Sequence, residues 1–280
     1  VDEMKPRNHR AIVGYILAGV AMLFLLLYLR FPGEAVTEAI KAVTTRSYPG
    51  LLLSIDATQP AMPPGVTLKN VTAGFRSRPE ATLHADNLGI RPGWLSLLLG
   101  RFALVTLAEG YGGDIRGQVE FANIFSVKGP LRAELNVREI QIEKCAWLRD
   151  ALARQITGTL KGSATFSGAA ESLKNGTGNI DFTLTKGSYQ LLENLLGFER
   201  IEFNKVDMKV SFRNGALKIA GLTLEGEKVR ISLKGNILLA DDLRESQIDL
   251  NGSIEIPAQG NKRVTLAISG TLGNPKTKFM

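Results

Sequence analysis

The strongest constraint on the fold is an alternation of apolar and polar residues that recurs from about residue 51 onward. In "NIDFTLT", residues 179–185, the apolar positions Ile180, Phe182 and Leu184 are separated by polar residues. A period of two over many runs is typical of antiparallel strands with one apolar and one solvated face, and it predicts about a dozen of them. The same period recurs in residues 205–212, 228–234, 248–256 and 264–272.

The segments between these runs are short and rich in turn-forming residues. Such short connections place consecutive strands side by side in a sheet. The sequence therefore predicts a mainly β protein with a long, curved, mostly antiparallel sheet. The predicted turns are "KGS" at 186–188, "RNGA" at 213–216, "EGEK" at 225–228, "ADDL" at 240–243 and "PAQGNK" at 257–262.

Three Leu-rich stretches interrupt the alternation, at residues 92–100, 145–156 and 189–197, and each predicts a short helix. The first belongs to "WLSLLLGRFALVTL", residues 94–107, which is apolar enough to suggest a membrane crossing. However, Pro92 and Gly93 precede it, and Gly100 and Arg101 divide it into two pieces too short to span a bilayer. A short helix followed by a strand is the prediction here.

Residues 11–29 contain no charged side chain, and a run of this length can cross the hydrocarbon core of a membrane. Lys5, Arg7 and Arg10 precede the run, so the positive-inside rule predicts a cytoplasmic tail at 1–10 and a transmembrane helix at 11–30. A cleaved signal peptide is the alternative, but its apolar region would be shorter and "YLRFPGEA" is a poor cleavage site. The apolar residues expected to form the anchor are Ile12, Val13, Ile16, Leu17, Leu23, Phe24, Leu25, Leu26 and Leu27.

The remaining chain is expected to lie across the membrane from the tail. Within residues 31–50, Val36, Ile40 and Val43 are spaced as on an amphipathic helix, which predicts a juxtamembrane helix. Residues 51–280 are then a periplasmic β-rich domain, if the source is a Gram-negative bacterium.

The apolar face of so long a sheet must be covered. The sheet can close on itself as a barrel or sandwich with a dry core, or it can remain an open groove whose apolar wall contacts a ligand or partner. The sequence leaves both possibilities open. The groove candidates are Val229, Ile231, Leu233, Leu250, Ile254, Leu266 and Ile268, which the two-residue period places on one face.

No arrangement of residues indicates catalysis. His84 shares a predicted strand face with Asp86, but no nucleophile motif accompanies the pair, so a solvated strand position is the preferred interpretation. Cys145 is the single cysteine and is expected to be a small buried residue. No phosphate-binding or zinc motif is present. We therefore expect a non-enzyme without cofactor, metal, nucleic acid or small-molecule substrate.

Several segments resemble those of the AsmA-like superfamily. Residues 95–121 resemble the helix-then-strand unit of the family, followed by a "GGxIxG" hairpin at Gly112, Gly113, Ile115 and Gly117. "ITGTLKGSATFSG" (156–168) and "ISGTLGNPKTKF" (268–279) are similar to its Gly-Thr-Leu strand ends. Within this group the length and the single anchor look most like the type II secretion system protein N of the AsmA-like kind.

The resemblance implies an AsmA-like groove or half-barrel anchored in the inner membrane. It implies a non-catalytic component associated with the type II secretion system, with secretion-system or envelope proteins as partners. The alternative that it implies is a lipid-binding or lipid-transport protein, which would hold membrane lipid in a hydrophobic β-groove and support outer-membrane assembly.

Overall fold

The structure is a computed structural model that describes residues 9–76, 78–123, 126–146, 148, 155–169, 172–195, 198–240, 242–257 and 262–279. Among them are three α-helices and fifteen strands. The helices are α1 (His9–Leu29), α2 (Gly33–Ser47) and α3 (Trp94–Leu98). The strands are β1 (Leu51–Ser54), β2 (Ala57–Ala61), β3 (Gly65–Phe75), β4 (Arg78–Pro92), β5 (Phe102–Gly110), β6 (Gly113–Asn123), β7 (Ser126–Gln141), β8 (Thr159–Ala169), β9 (Ser172–Leu195), β10 (Phe198–Arg213), β11 (Ala216–Glu225), β12 (Arg230–Leu238), β13 (Gln247–Ile256), β14 (Lys262–Thr271) and β15 (Pro275–Phe279).

All fifteen strands belong to one open antiparallel sheet. From β3 to β15 each strand pairs with the next one along the chain, while β1 and β2 both pair with β3. The described part of β1 does not pair with β15, so the sheet is not closed into a barrel. The predicted mainly β class and the pairing of consecutive strands are therefore confirmed.

Two of the tight turns show why the chain reverses where it does. Tyr111 and Gly112 connect β5 to β6 with φ angles of 55° and 80°, and Gly110 pairs with Gly113 on either side of them. Asn214 and Gly215 connect β10 to β11 in the same way, with φ angles of 48° and 77°. Two consecutive left-handed residues form the turn that matches the twist of antiparallel strands, and Asn-Gly is its commonest sequence.

Two predictions about β9 are wrong. Residues 189–195 are strand rather than helix, because Tyr189 pairs with Ile201 and Leu195 with Phe198 on β10. The predicted "KGS" turn at 186–188 also lies inside β9, where Lys186 has a φ of 51° and the strand continues past it. A left-handed residue here produces an irregularity in the strand instead of a reversal. The predicted helix at 145–156 lies largely outside the described residues.

Residues 92–107 fold as predicted, with α3 followed directly by β5. At the N-terminus, α1 covers the predicted anchor, and α2 covers the predicted juxtamembrane helix. In the part of the chain that the structure describes, no helix combines the length and the apolar character that a membrane span requires. Phe24 and Leu27 of the predicted anchor lie outside the described side chains.

The helix α2 lies against the first strands of the sheet. The Thr37 and Thr58 hydroxyls are 2.5 Å apart and buried, and Gly33 lies against the Thr58 carbonyl oxygen. On the same side Ile40 packs against a buried cluster formed by Ile55, Leu68 and Val71. The helix runs along the sheet from the Thr58 level to the turn before Leu51, so the chain enters the sheet at the start of β1, opposite Phe75 of β3.

Candidate functional site

The apolar face of the sheet is its most extensive feature, and strand pairing defines it without reference to burial. One row of directly opposed residues crosses the sheet from β3 to β15, and every member is apolar or glycine. Alternate residues of each strand point to the same side of a sheet, so the row marks one continuous face. The row consists of Leu68, Leu88, Ala108, Ile115, Val137, Gly162, Phe182, Met208, Leu222, Leu233, Gly252, Leu266 and Phe279.

The opposite face, here called the polar face, has a contrasting composition. The row adjacent to the first one, shifted by one residue along each strand, is charged or hydroxylated throughout its length from β8 to β14. Water can solvate this face directly, so it needs no covering layer, whereas the apolar face must be covered. The row consists of Lys161, Thr183, Asp207, Thr223, Ser232, Ser253 and Thr265.

All seven groove candidates lie on the apolar face, six of them on β12, β13 and β14. Val229 directly precedes β12 and packs in the same cluster. Ile231 pairs with Ile254, and Leu250 pairs with Ile268. Five of the seven are buried in the structure, with exposed fractions of 2–8%. The five are Val229, Leu233, Leu250, Ile254 and Leu266, whereas Ile231 and Ile268 are half-buried.

These side chains are buried because they cover one another. Val229, Leu233, Ile254, Ile256 and Leu266 form one cluster, against which Leu222, Ile231 and Ile268 pack. A second cluster joins Val210 and Ile219 to Ile248 and Leu250, and a third joins Ile142, Leu184, Ile201, Phe203 and Leu224. From β9 to β14 the apolar face is therefore already packed, as a protein core is.

The apolar face is less covered over β5 and β6 and at Leu135 on β7, whose same-face neighbours Leu131 and Val137 are buried. In the described part of the chain, the buried clusters contain no side chain of β5 or β6. Leu104, Ile115 and Val119 on these strands are half-buried, and Leu135 on β7 remains 36% exposed. Sequence reasoning did not select these residues, although the alternation in "DIRGQVEF" (114–121) carries the same signal. We call this region, with Leu104, Ile115, Val119 and Leu135, the open section of the apolar face.

The polar face carries close charge pairs. Lys205 Nζ lies 2.6 Å from Asp207 Oδ2, and the Thr183 hydroxyl donates to Asp207 Oδ1 at 2.8 Å. The hydrogen bond from Lys205, with the smaller contribution of Thr183, lowers the pKa of the Asp207 carboxyl. The same contact raises the pKa of Lys205. Because both side chains are solvated, the pair adds little to stability.

The pair predicted from the sequence, His84 and Asp86, does meet on one strand. His84 Nε2 lies 3.3 Å from Asp86 Oδ1, and its Nδ1 lies 3.2 Å from the Thr72 hydroxyl. The His84 backbone N–H donates to the Tyr111 hydroxyl at 2.7 Å, and burial raises the pKa of that tyrosine. Since the imidazole is 46% exposed and the carboxylate 62%, water surrounds the pair. The geometry suits a surface hydrogen-bond network better than a preorganised catalytic centre.

A shallow depression of about 770 Å³ lies on the polar face across β7 to β11. Its charged lining residues are Arg132, Glu134, Arg213 and Lys218, so cations outnumber anions. Among the described residues, no group of three or more His, Cys, Asp or Glu side chains is placed to hold a metal ion.

Compared with known proteins, the chain matches no protein-family model, no curated protein and no solved structure. The AsmA-like resemblance of residues 95–121, 156–168 and 268–279 is therefore a hypothesis that rests on sequence patterns alone. An open antiparallel meander with one apolar face is the class that the fold itself defines.

Proposed function

We propose that the protein is a non-catalytic, membrane-anchored envelope protein that holds the acyl chains of lipids against the open section of its apolar face. The observation that carries the proposal is the uninterrupted apolar row from β3 to β15 in a sheet whose described edges do not pair with each other. A soluble protein rarely leaves so continuous an apolar surface without a ligand or partner.

The difference between the two parts of the apolar face supports this proposal. From β9 to β14 the apolar side chains contact each other, which stabilises the sheet without a ligand. Over β5 to β7 the half-buried side chains still expose apolar area, and a hydrocarbon chain would remove that area from water. Each buried methylene contributes about 0.8 kcal/mol, so an acyl chain of ordinary length gains substantially from such a contact.

The proposal includes an anchor and a side of the membrane. The anchor is proposed from the full sequence of residues 11–29 and not from the described residues, among which no helix meets the requirements of a membrane span. The helix α1 has 21 residues, which at 1.5 Å per residue would extend about 30 Å, the thickness of a hydrocarbon core. Its sequence has no charged residue from 11 to 29, and basic residues precede it. We place the tail at 1–10 in the cytoplasm and residues 31–280 in the periplasm of a Gram-negative inner membrane, with a curved, groove-like sheet outside.

Association with the type II secretion system is the second candidate function, and the C-terminal edge of the sheet favours it. Within the described residues β15 pairs only with β14, and four of its five residues are exposed. An exposed edge strand offers unpaired backbone groups to a strand from another protein. A secretion-system or envelope protein that adds a strand here would act through protein contacts and would not need the open section.

A photo-reactive amino acid at Leu135 tests the lipid-binding proposal. In cells, the probe at this exposed position of the open section should form a covalent adduct with phospholipid. Leu107 provides the matched control, because it is 38% exposed but lies on the polar face of the neighbouring sheet region, beside Arg116. The probe at Leu107 should yield no lipid adduct.

Adduct mass distinguishes the two candidate functions. Lipid adducts at Leu135 and none at Leu107 support lipid binding on the apolar face. Protein adducts at Leu135, or equal lipid labelling at both positions, would contradict it. A probe at Lys278 on β15 that crosslinks to a second protein would instead support the edge-strand function.

A further inference from the structure

The helix α3 exposes apolar side chains that the sheet does not need. The exposed fractions are 76% for Leu95, 85% for Leu98 and 69% for Leu99, and Trp94 is 45% exposed. These side chains are adjacent on a single short helix and its final turn. A cluster of this kind is unusual on a soluble surface, where exposed apolar residues are scattered singly. We call residues 94–99 the α3 tip.

The polar side of the same helix is fixed to the sheet. Ser96 Oγ donates to Glu120 Oε2 at 3.2 Å, and Arg101 Nη1 lies 3.1 Å from Glu120 Oε1. The Gly93 N–H also donates to the Ala103 carbonyl at 2.8 Å. These contacts hold α3 in one orientation, so the leucines are presented outward by a rigid support rather than by a mobile loop.

Basic side chains surround the tip. Arg91 precedes it, Arg101 follows it, and Arg132 lies opposite Glu120 on the adjacent strand. Glu120 is the one acidic residue among these described neighbours, so the region carries a positive charge. Trp and Leu flanked by arginine are the residues that enter the interface of an anionic bilayer, where the indole lies at headgroup level and the guanidinium groups meet lipid phosphates.

The tip also lies at the end of the strands where α1 ends, with α3 on the Glu120 face of the sheet and α2 on the Leu68 face. Gly33, just after α1, contacts Thr58, and Thr58 pairs with Leu68, which pairs with Leu88. The tip begins a few residues beyond Leu88 on the same strand, two strands away from Thr58. At about 3.3 Å per residue and 4.8 Å per strand, the α1–α2 junction and Trp94 at the start of the tip are roughly 22 Å apart.

We propose that the α3 tip inserts into the surface of the same anionic membrane that α1 spans, so that the sheet is held against the bilayer at two points. This inference rests on the proposed anchoring by α1 and adds a second contact with lipid headgroups and the outermost acyl carbons. Two contacts fix the tilt of the sheet, and they keep the β4–β5 end of the apolar face beside the lipid source.

Depth-dependent quenching of a fluorophore tests the α3 tip. The full chain, with Cys145→Ser and Leu98→Cys, is labelled with an environment-sensitive nitrobenzoxadiazole and placed in nanodiscs of phosphatidylethanolamine and phosphatidylglycerol. Doxyl-labelled phospholipid should remove most of the emission. The matched control is Leu83→Cys, which is 43% exposed on β4 but about 36 Å along the chain direction from Trp94, so its emission should persist.

The outcomes separate the tip from the anchor. If the nanodisc captures the chain and the Leu98 label is not quenched by doxyl lipid, the tip inference is wrong and the anchor stands. If the Leu98 label is shielded from iodide yet not quenched by doxyl lipid, a protein covers the tip, which overturns the inference as well. If the nanodisc does not capture the chain, the anchor fails and the inference fails with it.

A change of lipid charge tests the role of the arginines. Replacement of phosphatidylglycerol by phosphatidylcholine should weaken the quenching at Leu98, and Arg91→Gln should weaken it in the anionic nanodisc. Quenching that is equally strong in both lipids would remove the electrostatic part of the inference.

Discussion

Truncation of Ile254 and Leu135 to alanine should have unequal effects, although both residues lie on the apolar face. Ile254 is 2% exposed within the packed cluster of β12 to β14, whereas Leu135 is 36% exposed in the open section. Each substitution removes three carbons, so the chemical change is the same at both positions. A difference in the loss of unfolding free energy therefore distinguishes a packed core from an open surface.

The magnitudes follow from burial. At about 0.8 kcal/mol per buried methylene, Ile254→Ala loses about 2.4 kcal/mol of transfer free energy, and the cavity left behind raises the total to about 3–4 kcal/mol. Leu135 is about two-thirds covered, so Leu135→Ala loses about 1.5 kcal/mol, and no closed cavity forms because the site already opens to solvent. The expected difference in the free energy of unfolding is about 2 kcal/mol.

Urea unfolding of the detergent-solubilised chain, followed by far-ultraviolet circular dichroism, measures both values. The reasoning also predicts that Ile254→Asp abolishes the cooperative transition, because an unpaired buried charge cannot be accommodated, while Leu135→Asp retains it. Equal losses for the two alanine variants, or a well-folded Ile254→Asp protein, would refute the division of the apolar face into packed and open parts.

Other parts of the structure make predictions that are independent of lipid. Gly252→Ala should destabilise the sheet by about 1–3 kcal/mol, because a Cβ there would meet the Ser232 carbonyl oxygen, whereas Gly221→Ala has open space and should change the thermal midpoint little. The lowered pKa of Asp207 contributes stability above the ordinary carboxyl pKa of about 4, and this contribution is lost as the pH falls through the lower folded-state value. Because the solvated pair adds little stability, the direct check is a carbon-13 NMR titration of the Asp207 carboxyl, whose midpoint should lie below that of a free Asp side chain; a midpoint at or above the free value would contradict the assignment. Fusion of alkaline phosphatase after residue 280 should give active enzyme and a cytosolic fluorophore there should stay dark; the reverse pattern would place residues 31–280 in the cytoplasm. The membrane-extracted chain should retain its N-terminal apolar segment by mass, and a chain beginning near Gly33 would indicate a cleaved signal peptide.

Most of the sheet could be predicted from the sequence, because the two-residue alternation of apolar and polar side chains and the Asn-Gly or Gly-rich turns are local features of the chain. The failure at 189–195 has a physical cause: "YQLLENL" has no clear period, and pairing with Ile201 and Phe198 on β10 decides its conformation. Lys186 and Gly187 have turn-like composition, but β10 continues past them, with Phe203 opposite Gly187, and the Thr157 N–H before β8 donates to the Ser188 carbonyl, so both residues stay in β9.

The candidate site was predictable in part. The two-residue period alone places Ile231, Leu250 and Leu266 on one face, and the strand register agrees. The two-residue period cannot show which part of that face is packed, because the burial of Ile254 depends on contacts from side chains on other strands. The exposed leucines of α3 were visible as an apolar run, but their orientation away from the sheet depends on how Ser96 and Arg101 hold Glu120.

Native mass spectrometry of the full chain, released from gently solubilised membranes, tests the central proposal most directly. The proposal predicts phospholipid bound to the wild-type protein and to Leu107→Asp, and loss of that lipid from Leu135→Asp while its circular dichroism remains that of a folded sheet. A folded Leu135→Asp protein that carries as much lipid as the wild type, or a wild-type protein that carries none, would contradict the account.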